Sequence, residues 1–171
     1  MATRCSSCPS PTEGDCTTAS QGTFHCACWE VDVDPVELEG LLASVRKDSP
    51  RAIIQVFGAS EPPNAEAIDM IAAQTVAAAK SGSTLAERPE LDLLLRLAGT
   101  RQIGEAFRRV GYKQKGKRLF LVAASGGTGA ALRRLRKRAS GDRRFASVAR
   151  KKLGNGDLEV VERAALLAAR L

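Results

Sequence analysis

Aromatic side chains are scarce in this sequence. Trp29, Tyr112 and five phenylalanines make up 4% of its 171 residues. That excludes a nucleic-acid surface built on many stacked bases, such as an RRM sheet, and leaves room for recognition of a few unpaired nucleotides. Histidine is scarcer still. The single His25 is the one available partner for a serine or cysteine nucleophile, and it lies near the N-terminal edge of the fold. No pair of carboxylates stands in a recognisable catalytic motif, so the chain reads as a binding protein and not an enzyme. Long apolar runs are missing as well, which argues against a transmembrane helix. The first twenty residues have no apolar core of a signal peptide, so the expectation is a cytoplasmic protein with no membrane role.

Acid is lacking in one half only. Residues 101–171 hold 19 Lys+Arg and 5 Asp+Glu, a net of +14, whereas residues 1–100 hold 7 and 14, a net of −7. A single-sign field of this size attracts polyanions, most often nucleic acid; the alternative is a solvated basic surface.

Residues 1–22 are rich in Ser, Thr, Pro and Gly, with almost no bulky apolar side chain. They read as a mobile extension ahead of one domain over 23–171. From Thr23 to Val33 the near-alternating pattern predicts a strand. Asp34 and Pro35 predict a helix start, with Val36, Leu38, Leu41, Leu42 and Val45 along it and an end near 48–50. "AIIQVFGA" (52–59) predicts a second strand, and Asn64 caps an Ala-rich helix to Lys80. A helix over 89–98 carries Leu91, Leu94, Leu95 and Ala98. After a corner capped by Thr100, the next helix has Ile103, Ala106, Phe107 and Val110 as its expected buried face. A basic turn leads into "LFLVAAS" (119–125), a continuous apolar run expected to be central in the sheet. A helix follows at about 129–139, with the basic run continuing to 152. A last amphipathic helix spans 157–171, with Leu158, Val161, Ala165, Leu166 and Ala169 available for packing. The expected class is α/β or α+β: one small mixed sheet flanked by helices.

Three stretches could carry chemistry. Cys5, Cys8, Cys16, Cys26 and Cys28 fall within 24 residues. C-x-x-C is a zinc half-site, but C-x-C on a strand is the wrong second half. Zinc, disulfides and free thiols filling the core all remain open. "SGGTG" (125–129) follows a strand and opens a helix, where backbone amides can cradle phosphate; it lacks a Walker lysine and also reads as a plain turn. Residues 133–152 read as a basic helix with ten Lys+Arg against one acid, Asp142, which suits phosphate contact or a solvated face.

The stretch "RLAGTRQIGEAFRRVG" (96–111) poses the sharpest question. Arg96 and Arg101 flank a helix–corner–helix, and Arg101 is placed in the first turn of the second helix, where the dipole favours an acid. Gly104 inside that helix costs about 1 kcal/mol, which close approach of a ligand or a neighbouring helix would explain.

"LLLRLAGTRQIGEAFRRVG" resembles the pattern of the small PRPK-binding subunit of the KEOPS complex, at Leu94, Leu95, Ala98, Gly99, Arg101, Gln102, Ile103, Ala106 and Gly111. "LFLVAAS", the ending "LEVVERAALLAARL" and the Ala-rich helix at 64–80 are also similar, so the likeness spans about 24–171. Residues 1–22 have no counterpart, and 133–152 is more basic than the family pattern. The resemblance implies a non-catalytic subunit, without cofactor or metal, in the complex that threonylcarbamoylates the adenosine next to the anticodon. It implies docking on the kinase-like ATPase subunit, indirect association with the other subunits, and, in archaeal-type members, recruitment of tRNA by its single-stranded 3′ CCA end. Applied here, Arg101 with the nearby helix amides would hold a phosphate and Gln102 would read a base edge. Ile103 would pack on a base or join the core. Lys80 and Arg96 would be further phosphate contacts. Gly99 and Thr100 shape the corner, and Arg108 and Arg109 extend the basic surface toward the acceptor stem. The expected kinase surface is the helix at 64–80 or the C-terminal helix. The rival readings are a nucleotide-binding enzyme built on 125–129 and a zinc-stabilised nucleic-acid module built on the cysteines.

Overall fold

The computed structural model describes residues 23–112 and 117–169. The N-terminal extension with Cys5, Cys8 and Cys16, and Lys113 and Lys115 of the basic turn, lie outside the described residues. In chain order the elements are β1 (Phe24–Val31), α1 (Pro35–Asp48), β2 (Ile53–Ala59), α2 (Ala65–Ser81) and α3 (Pro89–Ala98). Then come α4 (Ile103–Val110), β3 (Arg118–Gly126), α5 (Ala130–Ser140), β4 (Phe145–Ser147) and α6 (Asn155–Ala169). The class is α+β with one four-stranded sheet in the order β2-β3-β1-β4. Every pairing is antiparallel, which corrects the expectation of a mixed sheet.

The sheet is covered on both faces, and this follows from strand alternation. In β3 the side chains of Phe120, Val122 and Ala124 enter one cluster with α2, α3 and Val161 and Ala164 of α6. Those of Leu119, Leu121 and Ala123 enter the other, with α1 and α5. A strand buried on both faces reads as a continuous apolar run, and β3 is indeed flanked by β2 and β1. In β1, Cys26 and Cys28 join the first cluster while Trp29 and Val31 join the second. Both cysteines are buried and in the thiol form. Burial, then Asp69, pushes the Cys28 thiol up to about 12, so it is held protonated. Among the described residues no cluster of His, Cys, Asp and Glu could hold a metal ion, and no helix is long and apolar enough to cross a membrane.

Local signals place most helix starts. Asp34 accepts a hydrogen bond from the Val36 amide (3.1 Å) with Pro35 following it. Asn64 accepts one from the Glu66 amide (3.0 Å). Two expectations fail. The basic run is not one helix to 152: α5 ends at Ser140, and Phe145–Ser147 pairs with Trp29–Val31 as an edge strand. Phe145 packs edge-on against Trp29 at 6.2 Å between centroids, a cross-strand aromatic contact that the surrounding arginines mask in the sequence. The face of α6 is also offset: Val161 and Ala164 are buried, while Leu158 and Leu166 face outward.

The turn before β4 rests on Asp142, whose carboxylate accepts from the Arg144 amide (3.1 Å) and guanidinium (2.6 Å). The Arg144 hydrogen bonds hold the Asp142 carboxyl down at about 2, against an ordinary 3.8. Its folded value lies below its unfolded one, so the stabilisation is complete above about pH 4 and is lost as pH falls toward 2. Melting temperature should therefore drop across that window. In Asp142→Asn it should drop less steeply there, which thermal melts at stepped pH will read.

Candidate nucleic-acid interface at the corner between α3 and α4

The corner is built by Gly99. It ends α3 in the left-handed conformation (φ +63) with its amide on the Arg96 carbonyl, and a Cβ there would lie 2.6 Å from Arg163 Cδ of α6. The positive φ is what favours glycine here; the Arg163 side chain can move aside. Thr100, buried, accepts from the Gln102 amide (3.2 Å) and donates to Glu105 (2.7 Å). That hydroxyl, then Arg109, holds the Glu105 carboxyl below the usual carboxylate range. Thr100 thus shapes the corner but does not set the helix start. The cap position of α4 is Gln102, and no side chain caps its first turn.

This relocates Arg101. It precedes the cap of α4, and the acid expected in the first turn is present as Glu105. Arg101 instead reaches α6 and donates through Nε (3.1 Å) and a second nitrogen to the Leu167 carbonyl. Carbonyls in the last turn of a helix lack partners within it and carry the negative end of its dipole. The apparently misplaced cation therefore serves a neighbouring helix terminus.

Arg96 is corrected outright. It is 2% exposed, its Nε is 2.6 Å from the Asp92 carboxylate, and it donates to the Ala164 carbonyl at 3.2 Å. It is an internal strut and is not available to a phosphate. Arg109 is largely committed too, donating to the Ala98 carbonyl (3.1 Å) and pairing with Glu105.

Lys80 belongs to another place. It lies over Gly126 at the far end of β3. The Gly111 carbonyl after α4 sits against Gly58, which pairs with Leu119 at the start of β3. Leu119 and Gly126 are separated by roughly 23 Å of strand, so Lys80 lies well away from the C-terminal end of α4 at Gly111.

Outward-facing at the corner are Arg101, Gln102, Ile103 and Arg108, with Arg109 also exposed despite its internal bonds. Of α4's expected buried face, only Ala106 is fully buried; Ile103 is 46% exposed and Phe107 47% exposed one turn later. A Cβ on Gly104 would meet nothing within 4 Å, which removes a neighbouring helix as the reason for that glycine. Phe107 was missed as a surface residue because an eight-residue amphipathic helix looks the same in sequence whether its apolar stripe faces a core or solvent. The basic stretch 133–152 is also less free than its composition suggests. Arg133, Arg134, Arg136, Arg138, Arg144 and Arg150 bond to groups of this chain. The side chains of Lys137, Arg143 and Lys152 make no hydrogen bond or ion pair among the described residues.

Compared with known proteins, the chain matches no family model and no curated protein.

Proposed function

We propose that this chain is a non-catalytic, tRNA-binding subunit of a KEOPS-type complex, with the corner between α3 and α4 as its contact for the 3′ CCA end. The reading starts from the resemblance over 94–111. The observation that carries it is the exposure of Ile103 between Arg101, Gln102 and Arg108, at a helix start that no side chain caps. An apolar side chain there offers packing to an unpaired base, the arginines and helix amides offer donors to phosphate, and Gln102 offers both donor and acceptor to a base edge. Arg96, Gly99, Thr100 and Arg109 act by holding this shape.

The test is binding of intact tRNA against the same tRNA trimmed of its CCA end, at matched salt. Trimming should weaken binding at least about tenfold, the order expected for stacking and base-edge contacts to a few nucleotides. Equal binding of both forms, abolished alike by salt, would reduce the basic half to a general polyanion surface.

Docking on the kinase-like ATPase subunit is assigned to α6. The Ala-rich α2 buries eight of its residues, among them Ile68, Ile71 and Val76, inside this fold, and Met70 is its one exposed large apolar side chain. In contrast, α6 presents Leu158 and Leu166 outward, Leu166 at 56% exposure. Leu166→Glu should abolish co-purification of that subunit while leaving tRNA affinity within twofold. Retention of the subunit would move the interface elsewhere.

A further inference from the structure

The turn between β3 and α5 contains a buried hydroxyl with no partner. Ser125 is 4% exposed, and its Oγ makes no hydrogen bond among the described residues. Strand alternation turns its side chain to the same sheet face as Leu121 and Ala123, the face that carries α1 and α5. There it lines a cleft of about 450 Å³ with Arg51, Gly127, Thr128, Gly129 and Arg134. An unsatisfied buried polar group in a folded protein calls for an explanation, and an absent ligand is one of the few available.

The rest of the cleft has one electrostatic character. The cap of α5 is Gly129 in the left-handed conformation (φ +64), no side chain caps the helix, and its first turn holds no acid. The first helical bond runs from the Arg133 amide to the Gly129 carbonyl, so the amides before it have no acceptor within the helix. Arg51 is exposed and makes no hydrogen bond or ion pair among the described residues. Arg134 spends its Nε on the Asp48 carbonyl (3.3 Å) and keeps its two terminal nitrogens. Two further contacts fix the frame: Ser49 Oγ donates to the Ala131 carbonyl (3.1 Å), and Arg133 donates to the Thr128 carbonyl (2.8 Å). Among the described residues no carboxylate lines the cleft.

We propose that this cleft binds the phosphate group of a small phosphomonoester, held by the α5 amides, Ser125 Oγ, Arg51 and Arg134. A compact dianion satisfies the helix terminus, the orphaned hydroxyl and both cations at once. With no carboxylate among the described lining residues to seat a divalent cation, the cleft suits a monophosphate better than a metal-bound triphosphate. The volume beyond the phosphate takes the esterified group. The proposal does not depend on the tRNA reading.

Backbone amide shifts of the full chain, recorded during titration at constant ionic strength, test this. The probes are inorganic phosphate, uridine 5′-monophosphate and uridine. Saturable shifts at Ala130–Leu132 with phosphate and with the nucleotide, and none with uridine, are expected. Ser125→Ala, which removes only the orphaned hydroxyl, should weaken binding about tenfold, and Arg51→Glu should abolish it. Any one of three results overturns the proposal: Arg51→Glu titrating like wild type, shifts confined to Lys137 and Arg143, or phosphate binding with the nucleotide excluded.

Discussion

Arg96→Leu should destabilise the protein by about 3–5 kcal/mol, the usual cost of removing one partner from a buried ion pair. The pair is fully enclosed, with Arg96 2% and Asp92 0% exposed. Removing the guanidinium strands the Asp92 carboxylate, which keeps only the Leu85 amide at 2.5 Å. It also strips the Ala164 carbonyl of its contact from α3, loosening the seat of α6. The double variant Asp92→Leu/Arg96→Leu should recover only part of the loss. It removes the stranded charge but leaves the Leu85 amide without its acceptor. Urea unfolding reads both effects, and a loss under about 1 kcal/mol would mean that the pair is hydrated in solution. tRNA affinity of the folded Arg96→Leu fraction should stay close to wild type, whereas a direct phosphate contact would lose affinity with stability unchanged.

Ile103→Asp should show the opposite separation. Position 103 is half exposed and opens α4, where an acid suits the helix dipole, so stability should stay within about 0.5 kcal/mol of wild type. Affinity for intact tRNA should fall about 10- to 100-fold, from loss of packing on a base together with repulsion of the adjacent phosphate. Affinity for CCA-trimmed tRNA should barely change, so the ratio between the two forms should collapse toward one. An equal loss for both forms would make the corner a general electrostatic contact. No loss for either would remove it from the interface. Loss of stability would return Ile103 to the core.

These two residues lie seven positions apart and look alike in the sequence as candidates for the same surface. They differ because of α6. Its Ala164 carbonyl comes close enough to take Arg96 into the interior, and its Leu167 carbonyl binds Arg101. A helix some sixty residues downstream thus decides which arginine of the corner is structural. Nothing in the local pattern of 96–111 carries that information.

The elements themselves were largely written locally. Asp34–Pro35, Asn64, Gly82 and Gly99 act through bonds to near neighbours, and the double-sided burial of β3 follows from its unbroken apolar run. The sequence by itself therefore determined most of the helices, the central strand and a single-sheet fold of mixed helix and strand. The antiparallel order, the edge strand at 145–147 and the outward turn of Ile103 and Phe107 were decided by tertiary structure. So were the internal use of six arginines in 133–152 and the orphaned Ser125 hydroxyl. Caps and periodicity depend on contacts within a few residues, whereas the exposure of a side chain depends on which distant backbone arrives beside it.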